Sequence, residues 1–362
     1  MRFKIAGAGA VPWAVALGLL TTVHGHILSM EKDMPITEKP CALVVNGTSA
    51  PALVTLPESG GAAWGIVLVP GSFPSDIDGN YLPEHGNPFS AKPHAYKDLA
   101  RQLAAHGCAV LRYARGGVTV LDKDLAAAHR HFADRTAVVA EAVRVLRAAV
   151  PSLKYVALAG HSEGGPVSLL LMTSDKGIKI DAYISLSAPA RRMFDIMLQQ
   201  TAATVRDGMA SFGPMKYPFS AYEQAMTLVR EGKPVPPDLL KQLPPMGVYA
   251  MDETSKRYLR EYDEIDSRKL IAAIACPVLI VQGTKDTSVF PDNADMLLEA
   301  RKGNPAPTEI ALFPGLQHFY KAVPAGLDPM AVFGLETESD PAVATAISAW
   351  LDKTAGPWLR AR

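Results

Sequence analysis

The sequence has no excess of charge of either sign, and this absence limits its partners. Its 36 Lys and Arg residues balance its 36 Asp and Glu residues, so the formal net charge is zero. A neutral chain offers no broad basic surface to nucleic acid or to anionic lipid, and we expect neither as a partner. A neutral small-molecule substrate fits this composition better.

Cysteine is scarce as well. The chain holds three, Cys41, Cys108 and Cys276, and their spacing matches no metal site. Cys108 and Cys276 each open an apolar run, which favours buried structural thiols. An exported protein could carry one disulfide, but the odd count leaves a free thiol and the pairing stays open.

Long apolar runs are absent except at the N-terminus. There an uncharged run over residues 5–23 follows Arg2 and Lys4. The pattern resembles a secretory signal peptide with a cleavage site at residues 23–25, so we expect residues 1–25 to be removed and the protein to be secreted or periplasmic. The alternative is a retained membrane anchor, since the run is close to the spanning minimum of roughly 18 residues. Pro12 and several glycines disfavour the anchor.

Strand-like and helix-like patterns alternate along most of the chain. Apolar strand patterns cover residues 63–71, 108–115, 155–160, 181–189, 276–286 and 308–319. Helical patterns cover residues 94–107, 134–150, 291–303 and 340–353, and residues 41–55 read as two strands joined at Asn46-Gly47. Parallel neighbours need crossover connections, so the alternation predicts an α/β fold with a doubly wound, mostly parallel sheet.

One interval interrupts the alternation. Residues 191–270 are helical and rich in methionine, which predicts an inserted cap between two core segments, residues 26–190 and 271–362. The methionines are Met193, Met197, Met209, Met215, Met226, Met246 and Met251. Flexible methionines adapt to apolar ligands, but they also fill cores, and the sequence leaves both interpretations open.

Residues 160–164 read GHSEG, a G-x-S-x-G motif between a predicted strand and a predicted helix. A nucleophile elbow needs this context, because its serine sits on a sharp turn that tolerates only small residues two positions away on either side. Gly160 and Gly164 meet that need. The turn would expose the Ser162 hydroxyl and aim the Glu163 N–H at a developing oxyanion.

A nucleophilic serine needs a base, and the base needs a carboxylate that orients it. Asp286 and His318 follow the last two predicted strands, and active groups gather at the carboxyl ends of parallel strands. Among other acids, Asp181 precedes its strand and Asp292 is predicted to start a helix. Six other histidines are interpreted as solvated or capping groups; they are His85, His94, His106, His129, His131 and His161.

The loop after the strand at residues 63–71 should supply a second oxyanion donor. Gly71 allows the backbone to turn, the N–H of Ser72 is the preferred donor, and that of Phe73 is its rival. Asp76 and Asp78 are interpreted as Asx turns that hold the loop. Their spacing also resembles the start of a calcium loop, but the downstream glutamate is missing.

With these motifs the chain resembles the α/β-hydrolase fold family over roughly residues 40–355. It is most similar to bacterial lidded serine hydrolases, the esterases and serine aminopeptidase-like hydrolases. Their oxyanion loop often reads H-G-S-G-P-x-D-x-D-G, and residues 70–79, PGSFPSDIDG, match it with Pro70 for histidine and Phe73 for glycine. LRYARGG at 111–117 resembles L-R-Y-D-x-R-G with Ala114 for aspartate. The resemblance implies the triad Ser162, Asp286 and His318.

The favoured function is a serine hydrolase that cleaves carboxylic esters or a related acyl substrate, with no cofactor and no metal. The same residues could cleave amides, as in aminopeptidases, or thioesters. An aminopeptidase would need acidic cap residues to hold the substrate amine; candidates are Glu231, Asp238, Asp252, Glu253, Glu261, Asp263 and Glu264. A binding protein without catalysis on the same fold is the alternative from another class.

Overall fold

A mixed sheet forms the centre of the fold. The computed structural model describes residues 35–83, 90–116, 132–174, 177–206, 218–243, 252–324, 327 and 334–362; the predicted signal peptide lies outside them. The strands are β1 (Ile36–Val45), β2 (Thr48–Pro57), β3 (Trp64–Val69), β4 (Ala109–Tyr113), β5 (Tyr155–His161), β6 (Ala182–Leu186), β7 (Val278–Gly283) and β8 (Thr308–Phe313). Across the eight-stranded sheet they run in the order β1-β2-β4-β3-β5-β6-β7-β8.

Strand direction follows the predicted class. The strands from β3 to β8 pair in parallel, whereas β1 pairs antiparallel with β2, and β2 antiparallel with β4. The mostly parallel, doubly wound sheet is therefore confirmed. Asn46 and Gly47 have φ angles of 50° and 79°, as a tight hairpin turn requires, and β1 begins at Ile36, before the predicted start.

Helices cover both faces of the sheet. They are α1 (Ala95–Ala105), α2 (Phe132–Ala149), α3 (Gly164–Met172), α4 (Met193–Arg206), α5 (Phe219–Arg230), α6 (Pro237–Leu240), α7 (Glu253–Asp263), α8 (Ser267–Ala273), α9 (Asp292–Ala300), α10 (Pro341–Trp350) and α11 (Gly356–Arg360), with a π-helical turn at Leu351–Ala355. Within the described ranges, no helix has the length and apolar character needed to cross a bilayer.

Alternate residues of each strand face opposite layers. In β3, Val67 and Val69 join the apolar cluster under α2, α3 and α9, whereas Ile66 and Leu68 join the cluster under α1 and α10. Every residue of β3 is buried, because a strand between two helical layers has no solvent-facing side. This explains why its sequence is continuously apolar.

The chain between β6 and β7 forms helices α4 to α8, and several of them share a separate apolar cluster. Phe194, Met226 and Leu259 are buried in it, and Met193 and Met197 pack against it. The described methionines therefore fill the interior of this interval; Met209, Met215, Met246 and Met251 lie outside the described residues. The boundaries 191–270 and the role as a cap stay predictions.

The cysteines are free thiols. Cys108 and Cys276 are buried, as predicted, and Cys41 is partly buried. Burial raises the pKa of both Cys108 and Cys276 to about 12, so they stay protonated at neutral pH. A protonated buried thiol is a weak nucleophile, which fits a structural role.

Leucine-to-alanine substitutions in two strands will compare the stability contribution of a core position with that of an exposed one. Leu111 in β4 is 0 % exposed and Leu312 in β8 is 50 % exposed. We expect Leu111→Ala to lower the free energy of unfolding by about 2–5 kcal/mol, because it leaves a cavity between sheet and helices. Leu312→Ala should change it by about 0.5 kcal/mol or less. Urea unfolding of both variants measures the difference, and equal effects would contradict the assigned layers.

Candidate active site

Ser162 lies on a strained turn between β5 and α3. Its φ is 53°, a left-handed value that is uncommon for a residue other than glycine. The turn is held by the Ser162 N–H, which donates to the Leu186 carbonyl at 2.9 Å, and by the Ser162 carbonyl, which accepts from the Gly165 N–H at 2.9 Å. Ser162 is partly exposed, while His161 and Glu163 on either side are buried. The strain thus presents one hydroxyl to solvent.

The glycines around Ser162 are required by close backbone contacts. A Cβ atom on Gly164 would lie 2.1 Å from the Val69 carbonyl oxygen, and one on Gly160 would lie 2.6 Å from the Gly164 carbonyl oxygen. Both distances are too short for any side chain. The N-terminus of α3 therefore packs directly on the end of β3, which brings the loop after β3 beside the turn.

Asp286 and His318 meet beyond the carboxyl ends of β7 and β8. His318 Nδ1 lies 2.8 Å from Asp286 Oδ2, and both side chains are buried. The other carboxylate oxygen accepts from the Ser288 and Val289 N–H groups at 2.8 and 2.9 Å. Burial by itself would raise the pKa of Asp286, but His318 and these N–H donors hold that pKa below its ordinary value. The carboxylate is therefore ionised beside the imidazole.

The structure does not join the third predicted member by a hydrogen bond. In the described part of the chain, the Ser162 hydroxyl bonds neither to His318 nor to any other group. The residue before it supplies the contact instead, because the His161 and His318 rings lie 4.5 Å apart between centroids. Catalytic hydrogen bonds in free enzymes are often long and tighten when substrate binds.

His161 has a role that the sequence did not reveal. The prediction grouped it with solvated or capping histidines, yet it is only 3 % exposed. Burial, with a smaller effect of His318, lowers the pKa of His161 to about 3, so its ring is neutral. Its Nε2 lies 3.0 Å from the His318 carbonyl oxygen and its Nδ1 lies 3.1 Å from the Tyr96 hydroxyl. Nε2 must therefore donate to the carbonyl, while Nδ1 accepts from Tyr96.

Tyr96, on the buried face of α1, extends this chain to the loop after β3. Its hydroxyl accepts from the Gly71 N–H at 2.9 Å. On the other side of the same peptide group, Arg135 Nη2 donates to the Pro70 carbonyl at 2.9 Å. The Pro70–Gly71 peptide, one peptide before the one that carries the Ser72 N–H, is thus held from both sides. Neither residue was assigned from the sequence, where Tyr96 is one apolar position among several on its helix.

The two predicted oxyanion donors are available for a ligand. Among the residues that the structure describes, no acceptor contacts the N–H of Ser72 or that of Glu163. The loop that carries Ser72 runs beside the Ser162 turn, since a Cβ on Gly71 would lie 3.2 Å from the Ser162 Cβ. Phe73, the rival donor, is 38 % exposed. The choice between Ser72 and Phe73 stays a prediction.

The acidic residues of the same loop act differently from each other. Asp76 Oδ1 accepts from the N–H groups of Asp78 and Asn80 at 2.9 and 2.8 Å, an Asx-type turn as predicted. The Asp78 side chain instead pairs with Arg112 at 3.2 Å. That Asx assignment was wrong, because a buried guanidinium on β4 lies within reach.

The other acids considered for the triad serve elsewhere. Asp181 accepts from the Val156 N–H at 2.8 Å, at the opposite end of the sheet from Ser162. Asp292 begins α9 and pairs with Arg191 at 2.6 Å. Among the three acids weighed, Asp286 is the one in contact with His318.

The chain is similar in sequence to known proteins. Residues 89–320, more than half of the chain, match the profile of the family described as serine aminopeptidase, S33. Esterase EstD of Thermotoga maritima is 24% identical over 277 residues, which cover 76% of this chain and 58% of that protein. The chain therefore spans somewhat more than half of the length of this relative.

Solved structures share the fold. Acylaminoacyl peptidase of Pyrococcus horikoshii superposes with a TM-score of 0.54 at 13% identity, over 91% of this chain and 43% of its own. Est1E of Butyrivibrio proteoclasticus gives 0.50 at 17% identity, over 87% of this chain and 99% of its own. At these identities the likeness establishes the architecture alone.

We expect Gly164→Ala to abolish most activity and to lower stability, because its Cβ would collide with the Val69 carbonyl and push α3 away from β3. Gly334→Ala is a matched control, since a Cβ there meets no atom within 4 Å. Hydrolysis rates and melting temperatures of both variants measure the effect. A Gly164→Ala protein as active and as stable as the control would contradict the close packing.

The depressed pKa of His161 predicts an acid-sensitive fold. The unfolded chain takes up this proton near pH 6.5 and the folded chain only near pH 3, so stability falls as the pH drops through that window. The loss approaches roughly 1.4 kcal/mol per pH unit for a fully buried group. His161→Gln keeps a donor for the His318 carbonyl and should show a smaller loss. Urea unfolding between pH 7 and 4 gives the free energy of unfolding of the wild type and of His161→Gln. An equal dependence on pH in the two proteins would contradict the neutral buried ring.

Proposed function

From the premise that the chain belongs to the S33 serine aminopeptidase family of α/β hydrolases, we propose that it cleaves carboxylic esters with Ser162, His318 and Asp286. Hydrolase chemistry follows from the family; the ester and the residue roles are the proposal. One observation carries it. The 2.8 Å pair of Asp286 and His318 lies beyond the carboxyl ends of β7 and β8, where the His161–His318 contact brings it to the strained Ser162 turn.

The proposed mechanism has two steps, acylation of Ser162 and hydrolysis of the acyl-enzyme. His318 Nδ1 is engaged by Asp286, so its Nε2 takes the Ser162 proton as the hydroxyl attacks the acyl carbon. The ionised Asp286 stabilises the imidazolium. The N–H groups of Ser72 and Glu163 bind the oxyanion. His318 then protonates the leaving alcohol, and a water activated by His318 releases the acid from Ser162.

The cap acids favour esters over aminopeptidase substrates. An aminopeptidase needs a free carboxylate for the substrate ammonium. Six of the seven candidates are already engaged: Glu231 with Lys233, Asp238 with Lys241, Asp252 with the Ser255 N–H, Glu253 with Lys256, Glu261 with Arg257 and Asp263 with Arg230. The relative from Thermotoga maritima is also named an esterase. Amide cleavage remains the second candidate because the family name and one structural neighbour refer to peptidases.

Removing the nucleophile tests the mechanism. We expect Ser162→Ala to reduce kcat on short p-nitrophenyl esters by about 10³-fold or more, because the variant lacks the hydroxyl proposed to form the acyl-enzyme. A fluorophosphonate probe should label the wild-type protein and not this variant. Ser174 is an exposed serine just after the C-terminal end of α3. Ser174→Ala should match the wild type in both assays.

Three outcomes would overturn the proposal. Unchanged turnover in Ser162→Ala would remove the mechanism, and absence of probe labelling in the folded wild type would indicate a binding protein. An aminoacyl-naphthylamide cleaved with a higher kcat/KM than every ester or thioester in the panel would reassign the substrate to the amide class.

A further inference from the structure

The buried Glu163 side chain contacts side chains from three other parts of the fold. Its carboxylate is 0 % exposed and pairs with Arg115 at 3.2 Å and with Arg135. The Tyr258 hydroxyl, from α7 of the interval between β6 and β7, donates to the other carboxylate oxygen. Nothing in the proposed mechanism uses this carboxylate, although its own residue supplies an oxyanion N–H.

Arg135 links the Glu163 carboxylate to the peptide that carries the Ser72 N–H, the second proposed oxyanion donor. Arg135 Nη1 pairs with Glu163, and Nη2 of the same guanidinium donates to the Pro70 carbonyl at 2.9 Å and to the Gly71 carbonyl at 3.4 Å. The Gly71 carbonyl and the Ser72 N–H belong to one peptide group. A trans peptide is planar, so holding its carbonyl on one side directs its N–H to the other.

Helix α7 contacts both Glu163 and the helix that carries Arg135. The Tyr258 ring stacks on Phe132 with 5.6 Å between centroids and 15° between planes. Phe132 begins α2, the helix that carries Arg135. The ring therefore holds α7 against α2, and the hydroxyl alone makes the contact with Glu163. A Phe at this position keeps the first contact and loses the second.

We propose that Tyr258 is a positioning residue that couples the docked helix α7 to both oxyanion donors through the Glu163 carboxylate. The inference rests on the proposed serine mechanism. With the hydroxyl in place, Glu163 and Arg135 are held in one arrangement and the Ser72 and Glu163 N–H groups converge on the oxyanion. Without it, the carboxylate loses a partner and the donors lose their alignment.

The test compares Tyr258→Phe with Tyr262→Phe, the same chemical change one helical turn later. Tyr262 is also buried against Phe132, but in the described part of the chain its hydroxyl makes no hydrogen bond to Glu163. We expect Tyr258→Phe to lower kcat on p-nitrophenyl esters by about tenfold, less than the loss of a whole donor, with KM within roughly twofold. Tyr262→Phe should keep the wild-type kcat.

A thionoester substrate separates alignment from general damage. Its sulfur accepts N–H hydrogen bonds poorly, so misaligned donors slow the oxygen ester more than the thionoester. The ratio of kcat for the oxygen ester to kcat for the thionoester does not depend on the fraction of folded enzyme. We expect this ratio to fall several-fold in Tyr258→Phe and to stay at the wild-type value in Tyr262→Phe.

Glu163→Gln completes a double-mutant cycle. If Tyr258 acts through the carboxylate, Tyr258→Phe should add little further loss in the Glu163→Gln background. A wild-type kcat in Tyr258→Phe, an unchanged ratio, or fully additive losses would each overturn the inference. Failure of the serine mechanism itself is distinguishable, because the wild-type protein would then escape fluorophosphonate labelling.

Discussion

The site depends on one close approach, that of the N-terminus of α3 to the end of β3. At Gly164 the backbones are so near that no side chain fits, since a Cβ would lie 2.1 Å from the Val69 carbonyl oxygen. This contact fixes the turn that carries Ser162 and places the loop after β3 next to it. Ser162 and both candidate oxyanion donors therefore come from backbone segments that cannot separate without unpacking the sheet.

Buried polar side chains then lock the surrounding loops to one another. His161 connects the His318 carbonyl to Tyr96, and Tyr96 connects onward to the Gly71 N–H. An unpaired polar group in such a place would destabilise the fold, so each contact restrains its neighbour. The loop that carries His318 and the loop that carries Ser72 are therefore both positioned through the His161 imidazole.

The buried charges beside Ser162 do not cancel. Glu163 faces two buried guanidinium groups, those of Arg115 and Arg135. Burial and the neighbouring Arg115 lower the pKa of Arg135 to about 10, which still leaves it charged at neutral pH. The cluster carries a net positive charge beside the proposed oxyanion donors, and burial limits the screening of its field by salt.

The sequence by itself determined the strand and helix alternation, the elbow at residues 160–164, and the positions of Asp286 and His318 after their strands, because each depends on a local pattern. It did not reveal His161, Tyr96, Arg135 or Tyr258 as parts of the site. A buried face shows that a residue points inward but not which distant partner it meets. Only the tertiary structure decided those contacts, since they join residues 25 to 157 positions apart in the chain.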